Sequence, residues 1–149
     1  MSRISAEECA YTDMEWYGAD RKGQVAVFCS AGTGALPEFV CADRERADAL
    51  IDYFAAREKS CRTALYFQST PAAMQTAEDF SDKGLFYFDA DDGSLYGTVT
   101  SQEYYTKRSA PSCPLMLRQL PEQIREMIMR MDIEDFSAAE MITVQHAYP

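Results

Sequence analysis

The stretch Glu15–Pro37, EWYGADRKGQVAVFCSAGTGALP, decides the fold. Residues 14–19 alternate loosely between apolar and polar, Asp20-Arg21-Lys22-Gly23 supplies turn chemistry, and residues 24–30 are rich in β-branched and aromatic side chains. The pattern predicts a β-hairpin, with Val25, Val27 and Cys29 on one apolar face and Gln24, Ala26, Phe28 and Ser30 on the other. Ala31 to Pro37 reads as a loop, because its glycines permit positive φ and Pro37 pushes Leu36 toward extended geometry.

Downstream, Asp43 caps a predicted helix through Arg57, in which Ala47, Leu50, Ile51 and Phe54 recur at helical spacing. Residues 63–68 read as a short strand. Ser69-Thr70-Pro71 then opens a helix with Met74, Ala77 and Phe80 on its inner side and Gly84 at its end. Residues 85–90 and 95–100 flank Asp91-Asp92-Gly93-Ser94 and predict a second hairpin. Residues 104–106 extend or follow that sheet, and the prolines at 111 and 114 impose an irregular passage. Pro121 opens a third predicted helix with Ile124, Met127, Ile128 and Met131 in a stripe, and residues 140–148 have strand composition. Residues 1–12 stay unassigned: Ser5 to Glu8 can start a short helix, yet few apolar positions recur to hold one.

These elements give an α+β fold in a single domain spanning residues 1–149. Its sheet is expected to be mostly antiparallel, with about five or six strands built around two hairpins and packed against two or three amphipathic helices. Leu50, Ile51, Phe54, Ile124, Met127 and Ile128 should cover one sheet face.

The chain has 149 residues, 47% of them hydrophobic and 26% charged, the balance of a folded soluble domain. No apolar run approaches the ~20 residues that cross a bilayer, and the N-terminal residues lack a signal-peptide pattern, so the expected location is cytoplasmic. Fourteen basic against 24 acidic residues give a formal charge of -10, which disfavours nucleic acid and anionic membranes and suits a basic protein partner. The five cysteines are widely spaced with no C-x-x-C pair, and are expected to be reduced, mostly buried thiols.

Each chemical motif fails on spacing. Ser30 lacks the first glycine of a nucleophile elbow, and the sole histidine, His146, is too near the C-terminal end of the sequence to mark it or Cys29 as a triad member. Gly32-Thr33-Gly34 begins like a dinucleotide fingerprint, but Pro37 stands where the third glycine belongs. Asp89, Asp91 and Asp92 precede Gly93 as in a calcium loop, yet the glycine comes one position early and Thr100 occupies the place of the bidentate glutamate. Adjacent acids such as Glu134-Asp135 point in different directions. The reading is a non-enzyme with no metal and no cofactor.

The order W-Y-x-x-D-x-x-G-x-V-A-x-F-x-S-A-G-x-G over Trp16 to Gly34, followed by Asp52-Tyr53-Phe54, Gly84 to Asp89, Tyr96, Pro111, Pro114-Leu115 and Leu120-Pro121, resembles a loose group of small uncharacterised bacterial α+β proteins. Some of these are associated with toxin-immunity systems. The resemblance implies a non-catalytic protein-binding module, an immunity protein that neutralises a bacterial toxin by occluding its basic site. Candidate contacts are Trp16, Tyr17 and Asp20 of the first hairpin, Gly32 and Gly34 of the loop, and Asp89, Asp91 and Asp92 of the second hairpin. The alternative is a small-molecule or peptide-binding domain using loop 31–37 and the aromatic surface from Phe86 to Tyr96, or a structural protein. A homo-oligomer through an exposed strand edge also fits the pattern.

Overall fold

In the computed structural model, residues 2–90 and 103–148 are described. A short helix α1 (Ala6–Tyr11) forms after all, because the Ser5 hydroxyl accepts the Glu8 N–H as its N-cap and Cys9 is buried beneath it. The strands β1 (Glu15–Ala19) and β2 (Val25–Cys29) follow and pair antiparallel, with Trp16 opposite Phe28 and Tyr17 opposite Val27. Next come α2 (Glu38–Cys41) and α3 (Arg44–Ala56), the latter capped by Asp43, whose side chain accepts the Arg46 N–H. After β3 (Thr63–Leu65), helix α4 (Pro71–Ser81) begins with the Thr70 cap and with proline in its first turn. The remaining α-helix and strands are β4 (Phe86–Asp89), β5 (Tyr104–Pro111), α5 (Glu122–Met127), β6 (Met129–Arg130) and β7 (Met141–Thr143), with a 3-10 turn at Leu117–Gln119 between β5 and α5.

Among the described residues the sheet has seven strands in the order β3-β5-β4-β2-β1-β6, with β7 also paired to β5. It is mixed, which corrects the mostly antiparallel expectation: β2 pairs parallel with β4, and β1 pairs parallel with β6. The physical reason is the crossover through α3, β3 and α4, which returns the chain to the sheet in the same direction. Such crossovers bury both faces of the central strands. All five residues of β2 are buried, so Ala26 and Phe28 are as much core as Val25 and Val27. Strand 95–100 of the expected second hairpin lies outside the described residues; β4 has β2 and β5 as its neighbours.

One sheet face carries Tyr17, Val27, Leu85 and Tyr87 under Leu50, Phe54, Ala77 and Ile128, with Ile51, Ile124 and Met127 packed against them. The expected stripe therefore covers one face, although the third helix stops at Met127 and the chain turns extended into β6, two residues later. Pairing with β1 decides this locally ambiguous segment. The other face is an aromatic stack closed by the N-terminal and C-terminal segments. Phe28 lies flat on Trp16 at 4.1 Å and on Phe88 at 5.2 Å, with Tyr105 edge-on to Trp16 and Phe28 at 5.5 Å.

The cysteine expectation needs a second correction. Cys61 and Cys113 form a disulfide, leaving Cys9, Cys29 and Cys41 as buried thiols. The register explains it: β3 pairs with β5 so that Thr63 faces Pro111, and two residues beyond, Cys61 faces Cys113. Disulfides persist in oxidising compartments and are rare in the cytosol, so this pair weighs against the cytoplasmic expectation. No helix among the described residues is long and apolar enough to cross a membrane.

Candidate functional site

The sheet curls until two of its edges border one groove. On one side lies β6 with the chain that follows it to Ile133; on the other lies β7 with its continuation to Ala147; the start of α2 closes one end. The groove has a volume of about 630 Å³ and presents Phe39, Arg130, Ile133, Thr143, Gln145 and His146.

The ladders fix which way the backbone points. In β7, the Val144 N–H donates to Glu103 O and the Lys107 N–H donates to Glu140 O, so residues 140, 142 and 144 face β5. Alternation then turns the N–H and C=O of Thr143 away from β5. In β6, the Met131 N–H donates to Ala19 O, so residues 129 and 131 face β1 and the backbone groups of Arg130 point away from it. The groove is thus bounded by outward-facing peptide groups on both sides.

A second, smaller cleft of about 300 Å³ is lined by Tyr87 and Asp89 of β4, Arg108 of β5, Ala73 and Thr76 of α4, and residues 67–69. The register aligns Glu15, Cys29, Asp89 and Thr106 in one row across four strands. Tyr17 donates its hydroxyl hydrogen bond to Glu15, and Tyr87 donates to Asp89. A register shift in the β4–β5 ladder inserts Arg108 between the residues opposite Phe88 and Tyr87, and its guanidinium lies 5.5 Å from the Phe67 ring. Burial raises the Glu15 carboxyl above its usual range. Burial, reinforced by the Asp89 charge, pushes the Cys29 thiol well up, so it stays protonated at neutral pH and supplies no thiolate nucleophile.

The residues singled out in the sequence fall in four places. Trp16, Tyr17 and Asp20 are each 2% exposed and belong to the interior, where they offer no contact surface. Asp20 accepts the Gln24 backbone N–H at 2.8 Å, the Gln24 side-chain amide at 2.7 Å and the Phe136 N–H at 2.8 Å. Gly34 is buried, and a Cβ there would lie 2.6 Å from Ala90 Cβ and 2.9 Å from Ser30 O. Gly32 is partly exposed in a turn with φ +81°, beside Ala31 at φ 54°. Asp89 lies in the smaller cleft, and Asp91 and Asp92 fall outside the described residues.

Three of the backbone donors of loop 31–37 are already used within the protein. The Ala31 N–H donates to Asp13, and the Thr33 and Gly34 N–H groups both donate to Ser30 O. The Ser30 hydroxyl accepts the Met14 N–H at 2.8 Å and donates to Thr12 O. No protein-family profile, curated protein or solved structure matches the chain. Among the described residues, no group of three or more His, Cys, Asp or Glu is arranged to hold a metal ion.

Sequence reasoning missed Arg130 and Thr143 as edge residues. The strand composition of 140–148 was a usable signal for β7. The helical stripe running through Met131 hid β6.

Proposed function

We propose that this chain is a non-catalytic protein-binding module that takes an extended segment of a partner as an added strand in the groove between β6 and β7. The observation that carries the reading is the pair of outward-facing strand edges, at Arg130 and Thr143, bordering one groove. An extended peptide satisfies such edges with its own main chain and seats alternate side chains in the groove. Neighbouring strands sit about 4.8 Å apart, which makes an inserted strand the natural filling for a gap between two edges.

The charge of -10 suits a basic partner, whose encounter it accelerates. In the toxin-immunity setting that the sequence resemblance implies, that partner is a toxin with a basic active site, occluded when one of its extended segments docks. The alternative of a ligand held by loop 31–37 is disfavoured by the hydrogen bonds that already use the Ala31, Thr33 and Gly34 donors.

Selection of a displayed library of linear peptides on the whole chain, followed by titration of the selected peptides, tests the reading. The expected result is a set of extended binders that compete with one another and lose at least tenfold in affinity for Thr143→Pro. Binders indifferent to that substitution would overturn strand addition. If co-expression with toxins encoded beside this gene relieves no toxicity, the toxin assignment fails independently of the groove.

A further inference from the structure

Two of the three buried thiols touch. Cys9 on α1 and Cys41 at the end of α2 have their sulfurs 3.7 Å apart, and they are 4% and 0% exposed. A disulfide bond is about 2.05 Å long, so the two sulfurs need approach by only about 1.7 Å for the bond to form. The weak contact from Cys41 Sγ to Leu36 O, at 3.9 Å, holds that sulfur loosely. Cys29, by contrast, lies in the opposite core layer from Cys9 and Cys41.

Access comes from α1. It has six residues, the Ser5 hydroxyl cap, one surface ion pair from Glu8 to Arg44, and exposed residues on both sides of Cys9 at 7 and 10. Short elements that bury a single residue open locally below the free energy of global unfolding. Opening bares Cys9 first and leaves the Cys41 sulfur behind it.

We propose that Cys9 and Cys41 are a second disulfide site of this protein, formed by exchange with a small-molecule disulfide such as oxidised glutathione. The Cys9 thiolate attacks one sulfur of that disulfide, forming a Cys9–glutathione mixed disulfide and expelling glutathione thiolate, which takes up the proton lost from Cys9. The Cys41 thiolate then attacks the Cys9 sulfur, forms the Cys9–Cys41 bond and expels the second glutathione, which takes up the Cys41 proton. Both protein thiols are oxidised, by two electrons in all, and one glutathione disulfide is reduced to two thiols.

Burial pushes the Cys41 thiol up to about 12 and raises that of Cys9 as well, so exchange passes through the opened state and quickens as pH rises. Surroundings oxidising enough to keep the Cys61–Cys113 bond are the ones in which this exchange runs forward. The bond joins α1 to α2, and α2 contributes Glu38 and Phe39 to the groove wall. The disulfide site stands on its own geometry; only its effect on peptide capture rests on the proposed function.

The test incubates the whole chain in glutathione buffers of rising oxidised fraction, blocks remaining thiols with N-ethylmaleimide, digests with trypsin and maps linked peptides by mass. Cys9 falls in peptide 4–21 and Cys41 in 23–44, which also holds Cys29, so fragmentation between 29 and 41 assigns the partner. The expected product is 4–21 joined to 23–44 through Cys41, with the melting temperature raised by about 5–10 °C. Cys9→Ser should abolish the linked peptide and the rise, read against its own reduced-state melting temperature, which the buried hydroxyl lowers. The proposal is overturned by Cys9 or Cys41 halting as the glutathione mixed disulfide, by linkage through Cys29, or by both thiols staying alkylatable while Cys61–Cys113 remains oxidised.

Discussion

Asp20 accepts the backbone N–H of Phe136 at 2.8 Å, joining the turn between β1 and β2 to a segment 116 residues away. Phe136 packs against Phe88 at 5.6 Å and Phe28 at 6.0 Å, so this carboxylate seats the ring that closes the aromatic face. The same Oδ2 accepts from Gln24, whose amide also donates to Asp135. Asp20→Ala leaves these donors buried and is expected to cost about 2–4 kcal/mol; Asp20→Asn, which turns an amide toward one set of donors, about 1–3 kcal/mol. Urea denaturation checks both, and an Asn variant within about 0.5 kcal/mol of wild type would contradict this role.

The Cys61–Cys113 bond closes a chain separation of 52 residues at the sheet's edge. Cys61→Ser with Cys113→Ser should lower stability by about 2–4 kcal/mol, chiefly by freeing the unfolded chain. A reductant should lower the wild-type urea midpoint similarly and leave the double variant unmoved.

Gly34 and Gly32 differ in why glycine is needed. Gly34→Ala drives a methyl into Ala90, the Tyr105 hydroxyl and the Ser30 carbonyl, so about 1–3 kcal/mol is expected. Gly32→Ala meets no described atom within 4 Å and carries only the cost of its φ of +81°, about 1 kcal/mol. Thermal melts of the two variants should rank them in that order.

Acid should destabilise the fold from about pH 4 downward. Glu8 beside Arg44, Glu38 beside Arg3, Asp79 beside Lys59 and Asp135 beside Lys22 all titrate below their usual range when folded. Their contribution is complete above the unfolded carboxylate range and disappears as pH falls through the folded values. Glu15 runs the other way: burial raises it, so its contribution is present at low pH and is lost as pH rises through its folded value. The exposed pairs are individually weak and screened by salt, so a urea midpoint followed from pH 7 to pH 2.5 should fall less steeply in high salt.

The helices α3 and α4 were legible because their caps and stripes are local: Asp43, Thr70 and Pro71 mark the starts in the sequence itself. What was not legible depends on partners distant in the chain. The parallel β2–β4 pairing follows from a crossover, the Cys61–Cys113 bond from the β3–β5 register, and β6 from the offer of an edge by β1. Trp16 and Tyr17 illustrate the same point at the level of single side chains, since an aromatic on a strand reads equally as anchor or core until both faces are covered. The groove itself is set by how far the sheet curls, a quantity no local pattern encodes.

Amide hydrogen exchange on the whole chain, with and without a selected extended peptide, tests strand addition most directly. The account predicts new protection at the amides of Arg130 and Thr143, which face the groove, while Ile142 and Val144, already turned toward β5, change little. Peptide binding that leaves Arg130 and Thr143 unprotected, or protects the cleft at Tyr87 and Asp89 instead, would contradict it.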